Sequence, residues 1–387
     1  MKLADRVLHL KPSLTLAITA KAKAMKKQGL DVIGFGAGEP DFDTPISIKK
    51  AGIRAIEKGF TKYTPASGTA ELKEAIARKL NRKNKLSYTP EEVVVSCGAK
   101  HALYNIFQVL CGPGDEVIIV SPYWVSYPEM IKLSGAVPRI VEAKEENGFV
   151  PEIAAIEKAI TMRTKAIVIN SPSNPTGAVF GKSILEKLAK YVVSKKIIVI
   201  SDEIYEEFIY GDEKHFSIGA LNNEILKQTI TVNGVSKTYS MTGWRIGYAA
   251  GPVEIMKKIA ALQSHSTSNP ASICQKAAVE ALQGGGSEAE KMKQEFAKRR
   301  DHMAGRINSM GKVSCVKPKG AFYIFCNIRG TGIDSITFAE RLLEEAHVAC
   351  VSGIAFGSDT HVRLSFATDL KNIEKGLDRI EKWLQRL

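Results

Sequence analysis

Four short apolar runs in the middle of the chain each end in groups that can do chemistry. Glu116 to Val120 (EVIIV) leads into Ser121-Pro122-Tyr123-Trp124, and Ala166 to Asn170 (AIVIN) into Ser171-Pro172-Ser173-Asn174-Pro175-Thr176-Gly177. Ile197 to Ile200 (IIVI) leads into Ser201-Asp202-Glu203-Ile204-Tyr205, and Thr229 to Val232 (TITV) into Asn233-Gly234-Val235-Ser236-Lys237. Runs apolar on both faces suit buried parallel strands. In open α/β sheets, ligands bind beyond the carboxyl ends of such strands. Those four ends offer an aromatic plane, an amide, a carboxylate with a phenol, and an amine. That set suits a flat, charged aromatic cofactor better than a substrate alone.

Pyridoxal 5'-phosphate fits it group by group. The cofactor needs an amine for a Schiff base, a carboxylate for its pyridinium nitrogen, and donors for its phosphate. Lys237 is the candidate amine and Asp202 the candidate carboxylate. Arg245, in Thr242-Gly243-Trp244-Arg245, can clamp a phosphate with two parallel donors. Gly98-Ala99-Lys100-His101 lies between the run Val93 to Ser96 and an apolar helical stretch from Ala102 to Leu110. Amides at the start of such a helix cradle anions.

With these residues in place, the sequence resembles the class I/II pyridoxal-phosphate aminotransferases of fold type I, close to the bacterial aspartate and aspartate/prephenate enzymes. The motifs are Ala37-Gly38-Glu39-Pro40-Asp41-Phe42, Lys62-Tyr63-Thr64-Pro65, Asn174-Pro175-Thr176-Gly177, Ser201-Asp202-Glu203-Ile204-Tyr205, Ser236-Lys237, Gly243-Trp244-Arg245-Ile246-Gly247 and Val362-Arg363-Leu364-Ser365. Each is weak alone, but they occur in the family's order over nearly the whole chain.

The resemblance implies that Lys237 holds the cofactor and shuttles the proton, and that Asp202 pairs with the pyridine nitrogen. It implies that Tyr205 and Asn174 contact the ring phenolate oxygen, with Asn174 also reaching the substrate, and that Trp124 stacks on the ring. Arg363 takes the substrate α-carboxylate, and Gly38 offers backbone to the substrate. Arg245 and the amides of Ala99, Lys100 and His101 hold the phosphate. Tyr63 reaches the phosphate of a partner subunit, because the family's sites lie at a homodimer interface. One departure stands out: three residues before the lysine, where the family often has Ser or Thr, this chain has Gly234. Ser236 or the Gly234 amide is the substitute.

Each residue also has an ordinary reading. Lys237 could be a surface lysine, but it follows a buried-type strand. Asp202 could be a helix cap, but an unpaired carboxylate at a buried sheet end is costly. Alternation in His361 to Phe366 (HVRLSF) puts Arg363 opposite Val362, Leu364 and Phe366, where an exposed salt bridge is the ordinary alternative. Gly34-Phe35-Gly36-Ala37-Gly38 is not a dinucleotide loop, because no helix opens at its third glycine. The seven histidines are too dispersed for a metal site.

The elements that must position these groups follow from pattern. Strand-like and helix-like runs alternate through the middle of the chain, which argues for an α/β layer with a mostly parallel central sheet sandwiched by helices. Ser183-Ile184-Leu185-Glu186 has the form of a capping box before Leu185, Leu188, Ala189 and Val192. Gly284-Gly285-Gly286 is a turn or hinge. Beyond it, a helix from Glu288 to Met310, strands at Ala321 to Ile328 and His361 to Phe366, and a helix from Leu370 to Leu387 form a smaller α+β unit. The expected division is an N-terminal arm at 1–12, a small domain of 13–45 and 288–387, and a large cofactor-binding domain at 46–287.

Composition bounds the rest. A chain of 387 residues, 44% hydrophobic and 25% charged, is an ordinary globular protein and not a disordered, collagen-like or disulfide-stapled one. No apolar stretch approaches the ~18 residues of a membrane span, and no signal peptide is legible. The net charge of +13 is interspersed with acids, as in Glu71 to Lys85 and Glu288 to Arg306, so neither a nucleic-acid nor a membrane partner is expected. The six cysteines lack C-x-x-C spacing and read as reduced thiols of a cytoplasmic protein.

The expected function is a homodimeric aminotransferase moving the amino group between L-aspartate and 2-oxoglutarate, with prephenate to arogenate as a further reaction. The alternatives are a broad aromatic or alanine aminotransferase, a pyridoxal-dependent β-lyase, and a non-catalytic pyridoxal-binding regulator. An acidic substrate needs a second cation besides Arg363. Lys11, in Leu10-Lys11-Pro12-Ser13, is the first candidate for it, and Lys100 the second.

Overall fold

A computed structural model describes residues 3–8, 10 and 14–387. Lys11 lies outside the described residues. The strands, in chain order, are β1 (Ile33–Gly34), β2 (Val93–Ser96), β3 (Glu116–Ser121), β4 (Val137–Glu142), β5 (Thr164–Asn170), β6 (Ile198–Asp202), β7 (Thr229–Gly234) and β8 (Gly247–Ala250). The remainder are β9 (Ser314–Cys315), β10 (Tyr323–Asn327), β11 (Val348–Ala349), β12 (Val351–Ser352) and β13 (His361–Ser365).

Seven of these form one sheet in the order β2-β8-β7-β6-β5-β3-β4. Neighbours from β7 to β4 pair in parallel, and β8 runs antiparallel between β7 and β2. The expected strands are all present, within a few residues of their expected ends. The sheet alternates its apolar side chains between two cores. Val117, Ile119, Ala166 and Val168 pack with Leu103, Ile106 and Phe107 of the helix Ala99–Leu110. Ile118, Ile167, Ile169 and Val199 pack with Leu185, Leu188 and Val192 of the helix Lys182–Lys195. Each fully buried aliphatic side chain contributes about 1.5–3 kcal/mol, so the runs are apolar because both faces are covered.

The helix Lys182–Lys195 starts with Gly181 at its N-cap and no side-chain cap. Ser183 therefore sits inside the first turn, and the expected capping box does not form; Glu186 instead faces Lys182 at 3.6 Å. Gly284 to Gly286 is a tight junction between the helices Ser272–Gly284 and Gly286–Asn308. A Cβ at Gly285 would lie 2.6 Å from the Tyr239 ring, which explains a residue without a side chain there.

A second sheet, β12-β13-β10-β9, is fully antiparallel. Phe296 and Met303 of the helix Gly286–Asn308, Phe338 and Leu342 of Ser335–Ala346, and Leu377 and Trp383 of Leu370–Leu384 share one core with Phe322 and Tyr323. No helix among the described residues is long and apolar enough to cross a membrane.

Behind the carboxyl end of β6 lies a buried polar knot. A π-turn at Leu80–Asn84, closed by Lys85 in the left-handed region, aims Asn84 inward. Asn84 donates to Glu203, Glu206 and Ser217 and accepts from Lys79. Glu203 also accepts from Ser201 (2.9 Å) and Ser217 (2.6 Å) and pairs with His215 Nε2 at 2.9 Å. Lys79 pairs with Glu206. Burial opposes both cations, but Glu206 beside Lys79 and Glu203 beside His215 hold each above its ordinary pKa. Glu203, Glu206 and His215 could offer ligand atoms within 4.8 Å of one another. The two carboxylates already face Lys79 and His215, so the knot is a polar network closed on its own side chains.

Removing one partner of a buried pair strands the other charge, at a cost of about 3–5 kcal/mol. Lys79→Met should therefore lower the thermal midpoint by several degrees, and Lys79→Met with Glu206→Leu should recover part of the loss in scanning calorimetry. Midpoints unchanged in the single variant would show that the pair carries no such weight.

Candidate active site

The loops beyond β3, β5, β6 and β7 converge as the sheet order requires. Lys237 follows β7, and its Nζ donates to the Gly38 carbonyl at 2.5 Å. The same Nζ lies 5.9 Å from the Tyr205 ring centre. Burial lowers its pKa to about 8; Glu39 resists the shift, while the Arg363 and Arg245 charges reinforce it.

Asp202 ends β6 and is buried. Its Oδ2 accepts from the Tyr127 hydroxyl at 2.6 Å and its Oδ1 from the Ile204 amide at 3.2 Å. Burial raises its pKa to about 6 against those two donors. Asn170, at the end of β5, ties two loops together: its Nδ2 donates to the Asp202 carbonyl (3.1 Å) and its Oδ1 accepts from the Asn174 amide (2.8 Å).

Arg363 is not an exposed ion-pairing residue. It lies in β13 with 2% exposure, because that strand is covered on both faces. Its Nη1 donates to Asn174 Oδ1 and its Nη2 to the Gly36 carbonyl, both at 2.9 Å. The guanidinium lies 4.4 Å from the Tyr323 ring centre and 5.1 Å from that of Phe356. Its Nε is buried without a partner, and no carboxylate among the described residues pairs with it. Such an arrangement fits an incoming anion.

The anion cradle is built from glycines. The helix starts at Ala99, three residues earlier than its apolar pattern suggested. Ala99 and Lys100 are its first residues, whose amides have no partner inside the helix. The His101 amide donates to the Gly98 carbonyl at 3.0 Å and its Nδ1 accepts from the Cys97 amide at 3.3 Å, so this residue closes the turn. Gly98 has φ +87°, and a Cβ there would fall on the Arg245 guanidinium; one at Gly247 would fall on the Ala99 amide. Arg245 is held by its donations to the Thr242 and Cys97 carbonyls. Gly234 pairs with Gly247 across β7 and β8, and a Cβ at 234 would meet Gly247 Cα at 3.0 Å. The departure at this position thus follows from how closely the two strands approach there.

Lys100 Nζ lies 5.0 Å from the Trp124 ring centre, with its pKa lowered by burial and then by Arg245. Trp124 meets Tyr127 edge-on at 5.3 Å. Ser236 is buried beside the lysine. Tyr63 is 91% exposed and is not brought to this site within the chain. The donor set fits pyridoxal 5'-phosphate: an amine of lowered pKa, a buried carboxylate, and a glycine turn under an arginine.

Residues 30–380 match the family described as aminotransferase class I and II. The chain belongs to that family. It is 51% identical to an aspartate aminotransferase of Geobacillus stearothermophilus, over 100% of this chain and 99% of that one. It is 47% identical to an aspartate/prephenate aminotransferase of Thermus thermophilus, covering 99% of each. The solved aspartate aminotransferase of Thermus thermophilus with maleate superposes with a TM-score of 0.96 at 46% identity, covering 99% of both chains. The fold-type expectation and the aminotransferase expectation are therefore met.

Sequence reasoning about this aminotransferase missed Tyr127, Tyr323 and Asn170. Tyr127 stands one helical turn beyond Trp124, a spacing that could have suggested it. Tyr323 carried no signal, since an aromatic in a strand reads as core.

An amine with a pKa near 8 should react differently from its neighbours. Competitive acetylation of cofactor-free protein, mapped by mass spectrometry, should give Lys237 a midpoint near pH 8, well below the ~10.4 of ordinary lysines. Arg363→Gln should move it upward by removing a nearby positive charge. A Lys237 midpoint in the ordinary range would contradict the electrostatic description.

Proposed function

We propose that the protein moves the amino group between L-aspartate and 2-oxoglutarate with pyridoxal 5'-phosphate, and that it accepts prephenate as a further substrate. The observation that carries this reading is Arg363, a buried guanidinium without a carboxylate partner among the described residues, across the Gly36–Gly38 backbone from an amine of lowered pKa. The names of the close relatives support the choice of substrate.

Pyridoxal 5'-phosphate, when bound, supplies an aldehyde carbon for the amino group and a protonated ring that accepts the electron pair left on the substrate carbon. The protein residues do the rest. Lys237 would hold the cofactor and, once released by the incoming amino acid, take the proton from the substrate Cα and return it on the cofactor side. Burial keeps its free amine near pH 8, where it is a competent base. Asp202 would keep a proton on the ring nitrogen, with Tyr127 and the Ile204 amide fixing its carboxylate. Asn174 and Tyr205 would donate to the ring oxygen, and Trp124 would cover the ring face. Arg245 with the Ala99 and Lys100 amides would take the phosphate beside Ser236. Arg363 would take the α-carboxylate, with Gly38 lining the substrate's path.

For the distal carboxylate, Lys100 is the candidate among the described residues. Its cation lies over the Trp124 ring, in the site, and its charge is partly desolvated. An ion pair formed in such surroundings is stronger than one in water. Lys11 remains the alternative.

The same reading makes the enzyme a cytoplasmic homodimer. The exposure of Tyr63 supports a role across a subunit boundary, and the absence of disulfides among the six cysteines suits a reducing compartment. The seven-stranded sheet falls wholly within 46–287 and the four-stranded one within 288–387, which supports the proposed division into a large domain and a small domain of 13–45 and 288–387.

A panel of amino donors and 2-oxo acids on purified holoenzyme tests this. Aspartate with 2-oxoglutarate should be a preferred pair. Lys237→Ala should cut turnover by ~10³-fold or more. Lys100→Met should raise KM for dicarboxylates about tenfold, an ion pair's worth, and leave alanine and phenylalanine nearly untouched. Lys11→Ala in parallel decides between the two cations. Preference for aromatic donors, or release of ammonia without a 2-oxo acid, would replace this reading by an aromatic aminotransferase or a β-lyase.

A further inference from the structure

Tyr323, in β10, touches three parts of the site. It is fully buried. Its hydroxyl lies 2.8 Å from that of Tyr205. Its ring carries the Arg363 guanidinium at 4.4 Å. Its hydroxyl also lies 3.3 Å from where a Cβ on Gly38 would sit. Tyr323 packs against Phe322 and Tyr205 at 4.7 and 5.7 Å between ring centres, so its ring has little freedom to turn away.

We propose that Tyr323 is a positioning residue that couples the two recognition groups of the aminotransferase site: its hydroxyl donates to Tyr205, and its ring seats Arg363 for the substrate carboxylate. This rests on the reading of the site given above.

The direction of the hydroxyl bond follows from the chemistry. A phenol has one proton to give and lone pairs to accept with. If Tyr205 gives its proton to the cofactor's ring oxygen, its own oxygen is left to accept, and Tyr323 is the phenol in reach. The guanidinium over the Tyr323 ring favours negative charge on that phenol and so makes it the better donor. Hydrogen bonds in a chain polarise one another, so a donor behind Tyr205 strengthens the bond in front of it.

The arrangement explains two further observations. Arg363 has no carboxylate among the described residues to fix it, and an aromatic face replaces that partner without neutralising its charge. A side chain at Gly38 would come tight against the Tyr323 hydroxyl, at 3.3 Å from its Cβ. Binding of a carboxylate at Arg363 and the hold on the cofactor ring thus meet at one side chain, from the antiparallel sheet that carries Arg363.

The test uses holoenzyme and the pH dependence of the bound cofactor's visible absorbance. That transition reports the proton shared between the lysine nitrogen and the cofactor's ring oxygen. A hydrogen bond to the oxygen draws off its negative charge and loosens the proton; weakening the bond tightens it. Tyr323→Phe keeps the ring under Arg363 and removes only the hydroxyl. It should move the transition upward by roughly half a pH unit, a fraction of one neutral hydrogen bond, with little change in KM. In a Tyr205→Phe background the same substitution should cause no further shift. Tyr323→Leu, which also removes the ring, should in addition raise KM severalfold for every amino donor.

Site-specific 3-fluorotyrosine at 323, a more acidic phenol of nearly the same size, should move the transition downward, and it serves should Tyr323→Phe fold poorly. An unmoved transition, or a shift that survives Tyr205→Phe, overturns the proposal. Absence of any cofactor transition in the unmodified protein would instead overturn the pyridoxal-phosphate reading itself.

Discussion

The carboxyl end of the large sheet is organised around an amine kept from holding its proton tightly. Lys237 is partly buried, with the charges of Arg363 and Arg245 reinforcing the effect of burial and Glu39 and Asp202 opposing it. The balance leaves its nitrogen neutral and nucleophilic within reach of physiological pH. That state is possible because the two guanidiniums are themselves fixed. Arg363 is held by Asn174, the Gly36 carbonyl and an aromatic face, and Arg245 by two backbone carbonyls. Neither has a carboxylate partner among the described residues, so both keep their charge available for an anion.

Holding so many unpaired polar groups needs a rigid support. Strands β3, β5, β6 and β7 supply it, since each brings one group to the same end of the sheet and is largely buried on both faces. Asn170 then crosslinks the β5 and β6 ends. The Glu203 knot anchors the chain beyond Asp202 to the π-turn at Leu80–Asn84. Glycines 98, 234 and 247 allow β7, β8 and the anion turn to approach more closely than any side chain would permit. Polar precision at the sheet edge thus depends on apolar packing within it.

Much of this was legible in the chain. Strands β2, β3, β5, β6 and β7 were visible because each is apolar on both faces, and the groups after Val120, Asn170, Ile200 and Val232 followed from topology; β4, half exposed at the sheet edge, and β8 gave no such run. What the sequence hid was long-range. The resemblance assigns Arg363 to the substrate carboxylate, but alternation alone leaves an exposed salt bridge open, and only the structure shows β13 covered on both sides. Tyr127, Tyr323 and Asn84 are aromatic and amide residues whose importance comes only from partners 75, 118 and 119 positions away. Ser183 failed as a cap because the helix begins at Lys182.

The central claim is that the ε-nitrogen of Lys237 is where the cofactor is attached. Borohydride reduction of holoenzyme followed by peptide mapping tests it most directly. The account predicts a single pyridoxyl-modified peptide carrying the adduct at Lys237. No adduct after saturation with cofactor, or one on another lysine, would contradict it.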